Sequence, residues 1–305
     1  MQKAGTTFIH ECLQNLNGFQ LPLYKEIHHF DKPGGVRVKG VSVLRKIGKR
    51  LQLDVSSDEA LHREIRELQP DSSEKRKFNL AQRSYPLNPV NVEFLKKFSN
   101  YNERGGRDED YLDLFSPYQE FITGDVTPAY STLDHEAIRR ARGLMPWVKI
   151  ILCVRDPVSR LWSQLNMHLR KSFKNRFKRR PEAGDESKFY ELLSDDWLAD
   201  LHNRSVFMKR SLATQTHEKW VDVFGEENVL VVNFEDLIHE TEPVLDKTCD
   251  FFGMARQGIK VVPRNRKGSA FKLPLDDDRR AILTRVLGDE VENYAALFET
   301  HRDRV

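Results

Sequence analysis

Residues 2–8 read Gln2-Lys3-Ala4-Gly5-Thr6-Thr7-Phe8, a glycine-containing turn with one lysine and two hydroxyls that opens directly into a helix. Gly5 lets the backbone curl without a Cβ clash. The amides of Gly5, Thr6 and Thr7 can then point into one concavity, to which the helix N-terminus adds a partial positive charge. Lys3 supplies a full charge and the threonines supply donors, so Lys3, Ala4, Gly5, Thr6 and Thr7 form a candidate phosphate loop. Beyond the turn, Phe8, Ile9, Cys12, Leu13 and Leu16 recur at helical spacing, and Asn17-Gly18 stops the helix. A surface helix capped by Thr6 accounts for the same residues. The stretch is not the nucleoside-triphosphatase loop G-x-x-x-x-G-K-[ST], because the lysine precedes a single glycine.

The 305 residues allow one large α/β domain or two small ones, and no internal repeat is visible. With 39% hydrophobic and 31% charged residues, a core forms under a highly charged surface. A net charge of +3 argues against a nucleic-acid partner and favours a small or patchily anionic one held by local basic clusters. Cys12, Cys153 and Cys249 each sit in an apolar pattern, which reads as buried thiols rather than a disulfide framework or a zinc site. The longest apolar runs, Ile150 to Val154 and Val229 to Val232, have strand length and fall far short of a membrane span.

Along the chain, Leu21 to Tyr24 reads as a short strand running into the polar, aromatic cluster Lys25-Glu26-Ile27-His28-His29-Phe30-Asp31. This is a packed polar loop, or a place for a general base if an anion loop lies near. Val36, Val38, Val41 and Val43 alternate with polar residues between Gly34 and Arg50, a pattern for a strand or hairpin. Asp54 to Gln69 is an amphipathic helix with Ser56 or Ser57 as cap, Pro70 to Pro89 a loop, and Asn91 to Phe98 and Asp108 to Phe115 short helices. Residues 30–120 carry no recognisable chemistry and are where an acceptor-side insertion would sit. Phe121 to Tyr130 reads as a strand entering a proline turn, with Asp125 and Thr127 at its end.

His135 to Arg142 is helical, and Trp147 to Val154 suits a buried parallel strand. Arg155-Asp156-Pro157 follows, then a helix with Val158, Leu161, Trp162 and Leu165 inward. Arg155 at the strand end and Ser163 in the helix can converge on one phosphate; a salt-bridged arginine in a strand-turn-helix is the plainer account. Arg170 to Arg180 holds seven basic residues in eleven, a solvated face or a rim for an anionic polymer. Asp195 to Phe224 gives two helices, Asn228 to Phe234 a buried strand, and Pro243 to Phe252 a helix. Pro263 to Gly268 is a basic loop, and Leu275 to Phe298 forms one or two closing helices.

The order lysine, small residue, Gly5, Thr6, Thr7 resembles the 5′-phosphosulfate loop of sulfotransferases that use 3′-phosphoadenosine 5′-phosphosulfate (PAPS). Cys153 to Gln164, C-V-R-D-P-V-S-R-L-W-S-Q, resembles the 3′-phosphate motif of that family, including the eight-residue step from Arg155 to Ser163. Lys25 to Phe30 resembles the K-E-x-H-F-F segment of heparan-sulfate and related glycan sulfotransferases, and Gly124 to Tyr130 resembles their G-E-x-[ST]-P-x-Y segment. Val229 to Val232 with Glu235-Asp236-Leu237 resembles the common core, and Arg266-Lys267-Gly268 the nucleotide-gripping R-K-G loop.

This resemblance implies an α/β, P-loop-like three-layer fold with a central parallel sheet flanked by helices, a single domain over residues 1–305. The implied reaction moves a sulfuryl group from PAPS to an acceptor hydroxyl or amine, a glycan before a small-molecule alcohol or phenol, and leaves adenosine 3′,5′-bisphosphate (PAP). Glu26 would be the base, with Lys25 and His28 beside it. Lys3 would stabilise the leaving oxygen, Thr6 and Thr7 would hold the 5′-phosphate, and Arg155, Ser163, Arg266, Lys267 and Gly268 would hold the rest of the nucleotide. No metal is expected. The cytosolic small-molecule sulfotransferases use a histidine base, so His28 and His29 compete with Glu26. A nucleotide kinase would need a magnesium site and a lysine after a second glycine, and the sequence has neither. A glycan-binding module that has lost its chemistry would not need Lys3 and Glu26.

Anion loops of this kind follow a buried strand, yet Met1 lies a few residues before Gly5. The expectation is a first strand upstream of Met1. The compartment is then the cytoplasm, or the Golgi lumen if a signal anchor also precedes.

Overall fold

The structure is a computed structural model that describes residues 1–31, 37–71, 77–80, 83–193, 198, 200–203, 205–255 and 271–302. In chain order its elements are α1 (Thr6–Leu13), α2 (Arg37–Leu51), α3 (Asp58–Glu67), β1 (Lys77–Leu80), β2 (Arg83–Pro86), α4 (Pro89–Glu103) and α5 (Asp108–Asp113). Then come α6 (His135–Leu144), β3 (Ile150–Val154), α7 (Pro157–Phe177), α8 (Glu186–Glu191), α9 (Ser205–Met208), α10 (Ala213–Phe224), β4 (Val229–Asn233), α11 (Phe234–His239), α12 (Thr241–Phe251), α13 (Asp277–Leu287) and α14 (Glu290–Arg302). The chain forms two compact units: the described residues of 1–9, 134–253 and 271–302 make one, and those of 10–133 with 254–255 make the other. Among the described residues no helix is long and apolar enough to cross a membrane.

The first unit is built on β3 and β4, which pair in parallel from Ile150 opposite Val229 to Val154 opposite Asn233. Their β-branched residues suit a ladder covered by helices, and α10, α11 and α12 pack on β4. Each strand ends in a capped helix. Asp156 accepts the Ser159 amide at 2.7 Å to start α7, with Pro157 at the first helical position, and Asn233 accepts the Glu235 amide at 2.8 Å to start α11. The inner face of α7, with Leu161, Leu165 and Phe173, shares a core with Phe189, Leu198 and Leu283.

The second unit packs α2, α3 and α4 together beside a β1–β2 hairpin. Its interior is aromatic: Phe94 stacks on Phe98 at 5.7 Å and Phe98 on Tyr101 at 6.2 Å. Four expectations are corrected here. Residues 37–51 are helical, not a strand or hairpin. Val43, Leu44, Ile47 and Leu51 are buried at helical spacing, and Gly48 lets Leu61 of α3 approach so closely that a Cβ would lie 2.8 Å from it. The stretch expected as a loop, 70–89, contains the hairpin, with Phe78 opposite Tyr85. Neither Leu21 to Tyr24 nor Phe121 to Tyr130 forms a strand. Pairing in this region is a single parallel bridge between Phe19 and Ile122, made by Gln20 N to Ile122 O at 3.0 Å and Ile122 N to Gly18 O at 2.8 Å.

Candidate functional site

The turn before α1 is tied to the carboxyl end of β3. The Met1 amine donates to the Cys153 carbonyl at 2.7 Å, and Met1 and Ala4 are buried. Lys3 and Gly5 both take positive φ, 68° and 80°. At Gly5 the turn also presses against α11: a Cβ there would lie 2.8 Å from Phe234 Cδ2 and 3.3 Å from Leu237 Cδ2. Glycine is therefore required twice, for conformation and for space. Two guanidinium groups grip successive carbonyls of the turn, Arg160 that of Gln2 at 3.4 Å and Arg155 that of Lys3 at 3.5 Å. The Gly5 carbonyl accepts from Phe8 and Ile9 at 2.7 and 3.0 Å.

Arg155 leaves the end of β3, lies over the Phe234 ring at 4.3 Å and pairs with Glu235 at 3.5 Å. Ser163 is half-buried in α7, one face with Arg170 seven residues on. Arg170 donates to the Phe271 carbonyl at 3.3 Å, and Trp162 and Leu273 are joined by a 3.0 Å bond from the indole to the Leu273 carbonyl. Asn166 accepts the Leu273 amide at 2.8 Å, so residues 271–273 are strapped along α7. Burial and then the charges of Arg170, Lys272 and Arg155 push the Lys3 ammonium below its ordinary value. Lys3, Arg155, Arg170 and Lys272 thus form one cation cluster at the loop, at the carboxyl ends of parallel strands where α/β folds place anionic ligands. An anion there relieves repulsion that the protein otherwise carries.

The basic run 170–180 is consequently not one surface. Arg170 binds the Phe271 carbonyl and its charge acts on Lys3, whereas Arg179 is held by Asp185 through two 2.6 Å bonds. Sequence reading missed Arg170 and Lys272 as loop neighbours; the seven-residue step from Ser163 to Arg170 was the available signal for the first. Arg266, Lys267 and Gly268 lie outside the described residues.

In the second unit, Glu26 and His28 take φ of 71° and 63° on either side of Ile27. Among the described residues five non-glycine positions have positive φ, and Lys3, Glu26 and His28 are three of them. Strain of this kind concentrates where side chains must be aimed. The His28 imidazole sits between two carboxylates: Nδ1 is 2.8 Å from Asp31 Oδ2, and Nε2 is 3.8 Å from Glu26 Oε2. Lys25 Nζ is 3.8 Å from the other Glu26 oxygen. Asp31, unassigned by the sequence reading, therefore orients the ring. His29 points away into a buried clamp, with Nδ1 2.9 Å from the Tyr101 hydroxyl, Nε2 2.9 Å from Asp108 and its face stacked on Tyr111 at 4.1 Å.

Asp125 underpins this strained turn. It accepts from the Tyr130 hydroxyl at 2.6 Å, the Thr127 hydroxyl at 2.7 Å and, more weakly, the Ile27 amide at 3.4 Å. Desolvation pushes its carboxyl upward against these donors. Tyr130 in turn accepts the His29 amide at 2.9 Å. The Gly124–Tyr130 segment thus holds up the Glu26–His28 backbone from below.

Residues 1–257 match the model of the sulfotransferase family. Among solved structures, the sulfotransferase from Alicyclobacillus acidocaldarius is similar with a TM-score of 0.55 at 19% identity, over 98% of this chain and 92% of that one. The sulfotransferase domain of the Synechococcus PCC 7002 olefin synthase is similar with a TM-score of 0.50 at 15% identity, over 97% and 91%. The sulfotransferase domain from the curacin biosynthetic pathway gives 0.50 at 14%, over 98% and 94%. No curated protein matches at the level of sequence. The α/β fold is that of these structures, and with the family model covering most of its length the chain belongs to the sulfotransferase family and is a sulfotransferase enzyme.

Proposed function

We propose that the chain transfers a sulfuryl group from PAPS to a hydroxyl or amine of a glycan acceptor, releasing PAP. The observation that carries this reading is the cation cluster of Lys3, Arg155, Arg170 and Lys272 around the Gly5 turn. Its charge and the tight turn at Gly5 fit a phosphosulfate. PAPS, when bound, supplies the sulfuryl group and a phosphate able to leave with the charge. Lys3 with Thr6 and Thr7 holds the 5′ side, where negative charge grows in the transition state. Arg155 and Ser163 hold the 3′-phosphate, and Arg155 can exchange Glu235 for it. Glu26 takes the acceptor proton, and Asp31 at Nδ1 fixes the His28 ring so that Nε2 stays on the Glu26 side.

Incubation of the enzyme with PAPS and separate pools of glycans and small alcohols or phenols, read by mass spectrometry, tests the reading. Gain of one sulfuryl group by a glycan is the expected result. Transfer to the small-molecule pool alone overturns the acceptor class, and failure of the chain to bind PAP overturns the donor. The His28–Asp31 pair favours one second reading, a histidine base. It predicts loss of turnover in His28→Ala with Glu26→Gln little affected.

A further inference from the structure

Among the described residues Arg160 is the largest fully buried side chain, with 0% of its surface exposed. It lies in α7 within the motif that follows β3, five residues past Arg155, and its role is separate from that of Arg155 and Ser163. Its acceptors are neutral: Gln164 Oε1 at 2.8 Å, Ser211 Oγ at 2.6 Å, the Phe207 carbonyl at 3.3 Å and the Gln2 carbonyl at 3.4 Å. Among the described residues no carboxylate pairs with it, and its Nε has no hydrogen-bond partner. Arg210 binds the Gln2 side chain nearby. A buried guanidinium without a counter-ion is costly, and this one is retained directly behind the anion loop.

Peptide geometry gives the arrangement a purpose. In a trans peptide the carbonyl of one residue and the N–H of the next point in opposite directions, and among the described residues no peptide is cis. Holding the Gln2 carbonyl back toward Arg160 turns the Lys3 N–H forward. Arg155 does the same through the Lys3 carbonyl for the Ala4 N–H, and the Gly5 carbonyl, held by the first turn of α1, does so for the Thr6 N–H.

We propose that Arg160 is a positioning residue of the anion loop: its guanidinium, fixed in the core by Gln164 and Ser211, holds the Gln2 carbonyl and so aims the Lys3 amide at the bound phosphosulfate, whose charge serves as its missing counter-ion. This rests on the reading of residues 3–7 as the phosphosulfate loop. Desolvation, followed by Arg210 and Arg155, pulls the Arg160 pKa down to about 9, so the group remains a cation at neutral pH and is the more responsive to an arriving anion.

Calorimetric titration with PAP and steady-state kinetics with PAPS, on full-length wild type, Arg160→Gln, Arg160→Lys and Ser211→Ala, test this. Arg160→Gln is expected to weaken PAP binding about tenfold or more, and Arg160→Lys, which keeps charge but loses the fork, about three- to fivefold. The KM for PAPS should rise in step, with the acceptor KM unchanged. A merely structural arginine would lower the melting temperature and leave the PAP affinity of the folded protein alone. If Arg160→Gln does not fold, Arg160→Lys and Ser211→Ala decide, because each leaves most of the core contacts intact and each should weaken PAP binding. PAP affinities within twofold of wild type in the folded variants overturn the assignment of Arg160 alone. A wild-type chain that does not bind PAP overturns the phosphosulfate reading and this inference with it.

Discussion

Replacing Gly5 with alanine adds one methyl group at the point where the loop touches α11. Its φ of 80° is left-handed, which costs a residue bearing a Cβ about 1–2 kcal/mol. The new Cβ would stand 2.8 Å from Phe234 Cδ2, a separation that carbon atoms do not tolerate, and the ring cannot simply turn away because the Arg155 guanidinium covers it at 4.3 Å. Overpacking of that kind costs about 1–3 kcal/mol. The two together come to about 2–5 kcal/mol, a large part of the roughly 5–15 kcal/mol that holds a domain folded. Urea unfolding followed by circular dichroism measures the difference. Gly143→Ala is the matched control: Gly143 lies in α6 with no atom within 4 Å of the added Cβ, and it should gain about 0.5–1 kcal/mol. A Gly5→Ala chain destabilised by less than about 1 kcal/mol would show that neither the backbone nor the Phe234 contact constrains the loop.

Glu26→Gln should keep PAP affinity and lower turnover by about 10² to 10⁴, the range for losing a general base; near-normal turnover beside an inactive His28→Ala would move the base to histidine. Arg155→Ala should weaken PAP binding by about 1.5–3 kcal/mol, and unchanged calorimetry would remove its 3′-phosphate role. The Lys3 ammonium is held below its ordinary 10.5 in the folded chain. Between the depressed value and 10.5 the unfolded chain binds more protons, so the Lys3 contribution to stability improves as pH rises through that window. Lys3→Met should flatten this rise in unfolding experiments stepped across alkaline pH, and an unaltered slope would count against the cation cluster.

What could be read from the sequence was local. The glycine, lysine and threonines of the loop, the β3 run leading to Arg155, the Pro157 start of α7 and the Ser57 cap act on neighbours a few positions away, and the elements stand where their patterns put them. The valines before Arg50 misled because they step mostly by two, as in a strand, whereas in a helix positions two apart lie on opposite faces. Only the burial of Leu44, Ile47 and Leu51 separates the two. The cation cluster was hidden for a different reason. Lys272 reaches the loop's neighbourhood because Leu273 is bonded to Trp162 and Asn166, more than a hundred residues earlier. No local pattern encodes that, nor the Tyr130–Asp125 support beneath Ile27, which joins segments about as far apart.

The left-handed backbone at Glu26 and His28 sets the requirements of folding against those of chemistry. Glycine adopts those angles without strain, so Glu26→Gly or His28→Gly would relieve about 1 kcal/mol or more of backbone energy while deleting the groups proposed to handle the acceptor. If these residues serve the acceptor as proposed, laboratory evolution for heat resistance alone would be drawn to Glu26, where no bond as short as that of His28 to Asp31 is lost, at the expense of turnover. Any such campaign needs turnover in its selection from the first round.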